Sequence, residues 1–368
     1  MKKIVAGAVA LVCAASMFAA DFAARNYMAG SIAGGDKDST YIWKLNKADQ
    51  KDSDALIVSG NSDNAGAQFQ LWYNYDGSGK CDLLVRSTKI WFKPVDMLKI
   101  TVGDLSTKLF GETLHYWKDP AGTAWNQWYN GYSGYGTVEA AGIEFELRPV
   151  DGLLITGGIA PGTDANFVSI VKDADTTVAA YGAGVSYDLS GAASIPLTVG
   201  VEFRDAGTKA EKVLGIGAKY GNRYGSGFYG MVEGRLRMNE SDSGKLNGIT
   251  INNHFRYSAG AFEAQLRAPV TIRLADDDPS WLAFSAKVSY ALDGFTPYFL
   301  FGNDINNAGA YKLDDMGDTF GIELKPGVTF NVGAASFDIA ALIDVAPKCG
   351  ADTNAVSWSI PFEISLAF

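Results

Sequence analysis

Six basic residues in the second half of the chain fall on one phase of alternating polar and apolar segments. Successive side chains of a β-strand point to opposite faces, so residues two apart share a face. This phase places all six on the polar face of four consecutive predicted strands, where they would form a basic wall. Such a wall creates a positive potential that attracts anions. The six residues are Arg235, Arg237, Arg256, Arg267, Arg273 and Lys287.

Acidic residues share the same polar faces, and Glu233 and Glu263 alternate with the arginines. The formal net charge of the 368-residue chain is -10. Two interpretations therefore stay open: a local positive field that attracts anions, or a lining whose charges neutralise each other. Further acids predicted on this side of the sheet are Glu144, Glu146, Glu202, Glu323, Asp338 and Glu363.

No catalytic motif accompanies these charges. The chain has two histidines, His115 in a long predicted loop and His254 on a polar face beside Arg256. It contains neither C-x-x-C nor H-E-x-x-H, and no phosphate-binding loop. We therefore expect no enzyme activity, no cofactor and no metal site, with a hydrolase built on the same fold as the remaining enzymatic alternative. The acidic balance argues against a nucleic-acid partner.

Strands of about ten residues must position these side chains. The clearest candidate is the continuous segment Ala261 to Leu274, whose apolar residues alternate with Glu263, Gln265 and Arg267. Tight connections such as Ala259-Gly260 and Asp293-Gly294 alternate with longer polar ones along the chain. No window reaches the roughly 20 continuous apolar residues that a membrane helix needs. The pattern predicts a single all-β domain over residues 21–368.

The chain begins with Met1-Lys2-Lys3 and an apolar, Ala-rich stretch to Ala20, which is typical of a secretory signal peptide. We predict cleavage after Ala20, so that residues 1–20 are removed and the protein is exported. A lipoprotein attached through Cys13 is the alternative. Cys81 and Cys349 are too few for a disulfide scaffold, and a bond between them is left open.

The last eleven residues alternate strictly to the end of the chain. This ending resembles the terminal strand of bacterial outer-membrane β-barrels, and the whole chain after residue 20 resembles their porins in architecture. The large apolar residues on its predicted barrel-closing lipid face are Trp358, Ile360, Phe362, Ile364, Leu366 and Phe368.

The porin resemblance implies a single transmembrane antiparallel up-and-down β-barrel of 16–18 strands in the bacterial outer membrane. It implies a water-filled channel for passive diffusion of small hydrophilic solutes and ions. The implied partners are outer-membrane lipids and the barrel-assembly machinery, which would read the C-terminal strand. Porins of this kind often form homotrimers. The basic wall would then line the pore, because a charge facing lipid would cost roughly 2–4 kcal/mol near mid-membrane.

The resemblance also implies that a long outer loop narrows the pore. The longest predicted loop, 105–136, is rich in aromatic residues whose flat faces could stack on sugar rings. The alternative is an aromatic cap on the loop itself or at the membrane interface, where Trp and Tyr are favoured. The constriction candidates are Glu112, Trp117, Asp119, Trp125, Trp128 and Tyr132.

Three other functions fit the pattern less well. A surface barrel could act as an adhesin or a structural outer-membrane protein through its outer loops. A transporter for hydrophobic compounds would use the aromatic loop. A soluble periplasmic β-protein is the remaining structural rival, and partition into detergent distinguishes it from a membrane barrel.

Overall fold

The computed structural model defines the fold over most of the chain. Among the described residues, no helix is long and apolar enough to cross a membrane. The description covers residues 20–45, 55–75, 81–104, 141–161, 179–205, 211–239, 245–274, 280–282, 284–302, 318, 320–346, 348 and 354–367.

The described residues form 22 β-strands in one sheet, with a short helix α1 (Ser190–Ala193). In chain order the strands are β1 (Ala20–Gly35), β2 (Thr40–Leu45), β3 (Ala55–Asn61), β4 (Ala65–Tyr75), β5 (Cys81–Val95), β6 (Leu98–Asp104), β7 (Ala141–Leu147), β8 (Leu153–Pro161), β9 (Ala179–Asp188), β10 (Leu197–Asp205), β11 (Glu211–Tyr220), β12 (Gly227–Asn239), β13 (Lys245–Ala259), β14 (Phe262–Arg267), β15 (Val270–Arg273), β16 (Trp281–Leu282), β17 (Ser285–Tyr290), β18 (Phe295–Gly302), β19 (Ile322–Val332), β20 (Ala335–Ala340), β21 (Leu342–Val345) and β22 (Val356–Ala367).

Every pairing is antiparallel, and the first strand closes the sheet against the last. Gly30 of β1 pairs with Phe362 of β22, and Arg25 pairs with Ala367. Four pairs of strands lie end to end against shared neighbours, and each pair occupies one position around the barrel: β2/β3, β14/β15, β16/β17 and β20/β21. We call each position around the barrel a stave, so the 22 strands form 18 staves. This confirms the predicted all-β up-and-down barrel and fixes its size at the upper end of the predicted range.

Short and long connections lie at opposite ends of the barrel, because successive staves run in opposite directions. Two-residue turns at 260–261 and 333–334 join β13 to β14 and β19 to β20. Their glycines, Gly260 and Gly333, have φ of 58° and 59°, a conformation that residues with a Cβ rarely adopt. The opposite end carries the long connections, including 105–140 between β6 and β7.

One connection at the long-loop end is compact. The turn at 36–39 between β1 and β2 is organised by Asp36, whose Oδ1 accepts backbone N–H bonds from Asp38 and Ser39, both at 2.8 Å. These two hydrogen bonds lower the pKa of the Asp36 carboxyl, with that from Asp38 the larger cause. The carboxylate form therefore stabilises the turn.

Polarity is inverted across the barrel wall. Glu233 and Arg235 of β12 are 1% and 3% exposed, whereas Ile216 of β11 and Phe228 of β12, on the opposite face, are 58% and 51% exposed. Soluble monomers rarely present such continuous apolar surface to water. The charged phase of each strand therefore faces the barrel interior, and the apolar phase faces outward.

The predicted continuous strand Ala261–Leu274 is wrong in one respect, since it is interrupted between β14 and β15. Pro269 has no N–H to donate to the neighbouring strand. At this break the Asn253 side chain of β13 forms hydrogen bonds with the backbone of the preceding residue, Ala268. Its Nδ2 donates to the Ala268 carbonyl at 2.6 Å, and the Ala268 N–H donates to its Oδ1 at 2.8 Å. The phase survives the break, because Leu266 pairs with Phe255 and Val270 with Ile251.

The barrel seam keeps the predicted alternation of β22 but covers one of its apolar residues. Trp358 and Ile364 are exposed on the outer face. Phe362 is only 4% exposed, because the Trp43 ring of β2 stacks on it with centroids 5.2 Å apart. Trp43 has a φ of 65°, unusual for a residue with a Cβ. Phe368 lies outside the described residues.

Candidate functional site: the charged inner wall

The six predicted wall residues lie on four adjacent staves. Arg235 and Arg237 are on β12, Arg256 is on β13, Arg267 and Arg273 are on β14 and β15, and Lys287 is on β17. Their backbone positions share the inward phase, since Arg235 pairs with Thr250, and Gln265, two residues before Arg267, pairs with both Arg256 and Lys287. The side chains of Arg237 and Arg273 lie outside the described part of the structure.

Arg235 forms the centre of a buried charge cluster. Its Nε lies 2.9 Å from Glu233 Oε1, and its Nη2 lies 3.8 Å from Glu202 Oε1 on β10. Neither Nε nor Nη1 has a hydrogen bond of good angle within the described residues, so these are ion contacts. Gly215 of β11 lies between the two strands, and a Cβ there would come within 3.0 Å of Glu202 Cγ. The missing side chain therefore gives the cluster its space.

Arg256 belongs to a hydrogen-bonded chain along β13 and β14. Its Nε donates to Glu263 Oε2 at 2.7 Å, and its Nη1 donates to the Gly225 carbonyl of a tight turn at 2.7 Å. Gln265 Nε2 donates to Glu263 Oε1 at 2.5 Å, and Gln265 Oε1 lies 3.1 Å from His254 Nε2. Because the Gln265 amide nitrogen faces Glu263, its oxygen faces His254 and can only accept a hydrogen bond. We therefore place the His254 proton on Nε2, which donates to Gln265 Oε1.

Lys287 lies over an aromatic ring. Its Nζ is 4.6 Å from the centroid of Tyr298 on β18. The Tyr298 hydroxyl donates to Asp338 Oδ1 at 2.7 Å, and Thr329 donates to Asp338 Oδ2 at 2.6 Å. These contacts link a cation, an aromatic ring and a carboxylate across β17, β18, β19 and β20.

No protein-family model matches the sequence, and no curated protein matches it. Solved structures do match in shape. One is Pseudomonas aeruginosa OccK2 (OpdF) in complex with glucuronate, at 12% identity and a TM-score of 0.54, covering 95% of this chain and 98% of that one.

Two further Pseudomonas aeruginosa structures are similar. The outer membrane protein OpdK has 11% identity and a TM-score of 0.56, and OpdL has 11% identity and a TM-score of 0.58. Each comparison covers 95% of this chain and 98% of the other. The chain shares their barrel fold. At this identity the likeness is one of fold alone.

Sequence reasoning missed a second inner-wall site, on the opposite side of the barrel. A cavity of about 320 Å³ is lined there by polar residues of β3 to β7 around Trp91. Lys99 Nζ donates to Glu146 Oε1 at 2.7 Å within it. The signal was present in Lys89, Trp91 and Lys93, which alternate with the outward residues Ile90 and Phe92.

The constriction-loop candidates lie outside the described residues. So do His115 and Cys349, while Cys81 is the first residue of β5. Among the described residues, no group of three or more His, Cys, Asp or Glu side chains could hold a metal ion. The loop candidates are Glu112, Trp117, Asp119, Trp125, Trp128 and Tyr132.

Proposed function

We propose that this protein is a bacterial outer-membrane channel whose water-filled lumen lets small hydrophilic solutes and ions diffuse passively. The observation that carries the proposal is the inverted polarity of a closed barrel. Charged side chains such as Arg235 and Glu233 are turned inward, and apolar ones such as Phe228 and Ile216 are turned outward. An 18-stranded barrel is too wide for side chains to fill, so its lumen holds water or an inserted loop.

The same barrel supports an orientation in the membrane. Outer-membrane barrels have short periplasmic turns and longer outer loops. The turns at 260–261 and 333–334 then face the periplasm, and the connection between β6 and β7 is at the outer end. That connection contains the 105–136 segment, which we propose as the constriction loop. The signal peptide of residues 1–20 directs export, and the C-terminal strand is read by the barrel-assembly machinery. β1 begins at Ala20, the last residue of the predicted signal peptide, so cleavage there removes only the first residue of the strand.

The inner wall supports passage of small polar solutes with weak charge preference. Arg235 and Arg256 of the predicted basic wall are paired with Glu233 and Glu263. Paired charges largely cancel at a distance, so neutral and charged solutes can both pass the wall. OccK2, a barrel of the same fold, was crystallised with the small hydrophilic acid glucuronate. We assign the protein no catalytic activity, and a homotrimer is its proposed assembly.

Liposome swelling tests the proposal directly. Vesicles containing the refolded protein are diluted into isotonic solutions of uncharged sugars of increasing size. We expect rapid swelling with monosaccharides and no swelling above a limiting sugar size. Vesicles with heat-unfolded protein should not swell with any sugar. Folded protein that partitions into the vesicles without allowing any solute to enter would contradict the channel and leave a structural or adhesive barrel.

A further inference from the structure

The cavity beside Trp91 has the composition of a small-molecule subsite. It is lined by side chains of five adjacent strands near the tight-turn end of the barrel, and its volume of about 320 Å³ lies at the lower end of the range for ligand pockets. Besides Trp91 and four charged residues, the lining includes the amides of Asn61 and Gln68 and the hydroxyl of Thr101.

Trp91 is held flat against the wall by a glycine. Gly66 of β4 is its direct cross-strand partner, and a Cβ at Gly66 would overlap Nε1 and Cε2 of the indole. The ring therefore lies over Gly66, an arrangement in which an aromatic residue covers a glycine on the neighbouring strand. The half-buried indole also lines the cavity, so part of its apolar surface faces the lumen.

The charged side chains that line this cavity are equal in number, and further cations lie at its edge. Lys89 and Lys99 bring two positive charges, Glu144 and Glu146 bring two negative ones, and Lys99 is already paired with Glu146. Arg148 Nη2 also lies 3.5 Å from Glu146 Oε2. The ammonium groups of Lys93 and Lys99 are each 5.8 Å from the Trp91 ring centroid, near the outer limit of a cation–π contact.

The opposite cavity, of about 360 Å³, provides a contrast. Its aromatic residue, Tyr298, is covered by Lys287 at 4.6 Å, and its hydroxyl is bound to Asp338. Its ring is therefore already occupied by partners within the wall. The polar groups near Trp91 include amides and hydroxyls, which both donate and accept hydrogen bonds.

We propose that the Trp91 cavity is a subsite for a monosaccharide within the lumen, recognised by ring stacking and hydroxyl hydrogen bonds rather than by charge. The apolar C–H face of a pyranose would lie on the indole, and its hydroxyl groups would bond to Asn61, Gln68 and Thr101. This inference rests on the proposed channel function, since the sugar must reach the inner wall. The channel would then slow and select sugars rather than pass all small solutes equally.

Fluorine NMR of protein labelled with 5-fluorotryptophan tests the subsite without using conduction. The Trp91 resonance is assigned by its loss in Trp91→Phe, and Trp358 on the outer face supplies an internal reference. We expect glucose to shift the Trp91 resonance saturably and to leave the Trp358 resonance unchanged. Gly66→Ala, which displaces the indole, should weaken glucose binding about fivefold, and Thr296→Ala in the opposite cavity should not.

The other outcomes each overturn one claim. If glucose does not change the chemical shift of Trp91 while the same protein still passes sugars in liposome swelling, the subsite is overturned and the channel function stands. A shift with zwitterionic glycine but none with glucose also overturns it, because the ligand would then be recognised by charge. A saturable glucose shift in a protein that passes no solute overturns the channel and leaves a sugar-binding barrel.

Discussion

At the scale of single residues, the inner wall is built from charges that stabilise each other. Arg235 lies between Glu202 and Glu233, and the side chains of all three are almost fully buried. Removing one partner from such a cluster is costly, since the remaining charges lose their compensation while staying out of water. The cluster is therefore a structural part of the barrel as well as part of its lining.

Arg235→Gln should lower the free energy of unfolding by about 3–5 kcal/mol, because two buried carboxylates lose their cation. Urea titration in lipid vesicles, followed by heat-modifiable gel mobility, measures this. The control is Arg148→Gln, which removes a 3.5 Å contact with Glu146 from a side chain that is 61% exposed, and should change stability by less than about 1 kcal/mol. Equal losses in both variants would show that burial adds nothing to the Arg235 cluster.

Residue identity alone could not have predicted these pairings fully. Alternation placed Arg235 and Glu233 on one face, because the period of two is local to a strand. Glu202 joins them across β11 only because Gly215 leaves room, and that depends on register between three strands. Likewise, nothing local to Phe362 indicates that Trp43, from a distant part of the chain, covers it.

At the scale of elements, the strand phases followed from sequence and the strand breaks did not. The two-residue turns at 260–261 and 333–334 contain glycines whose positive φ the turns require, so these turns could be predicted from the sequence. The strands before Asn61 could not be predicted, because one barrel position is divided between β2 and β3. The interruption at Pro269 was visible as a proline, but its repair by Asn253 depends on the neighbouring strand.

Asn253→Ala should destabilise the barrel by about 1–3 kcal/mol, since the Ala268 N–H loses its acceptor on the outer face. The same urea titration measures the change. Val232→Ala, at the position that pairs with Asn253 on β12, removes apolar volume without a hydrogen bond and should cost less. A loss no larger than that of Val232→Ala would contradict a bridging role for the amide.

The inward and outward phases predict alternating chemical access. In a background with Cys81 and Cys349 changed to serine, single cysteines are introduced at Ser258 and Ser289, which line a lumen cavity, and at Ala264 and Val288 on the outer face. A charged, membrane-impermeant thiol reagent should modify the first pair and spare the second in lipid vesicles. Uniform modification of all four, or the reverse pattern, would contradict the assigned faces.

At the scale of the whole molecule, closure of the sheet places the polar side chains of the alternating strands around one enclosed interior. Because β1 pairs with β22, each of the 18 staves has a neighbour on both sides, and the charged phases of the strands face one interior. The barrel size follows from counting staves. The solute does not follow from the fold, since barrels of the same fold are as little as 10% identical to this sequence.

We propose that this interior conducts water and ions past the charged wall. The most direct test is the reversal potential of single channels in a planar bilayer under a KCl gradient, for the wild type and for Lys287→Glu. We expect stepwise conductance from both, with the reversal potential of Lys287→Glu displaced toward potassium selectivity because a lumen cation becomes an anion. A folded wild type without conductance, or two identical reversal potentials, would contradict the claim.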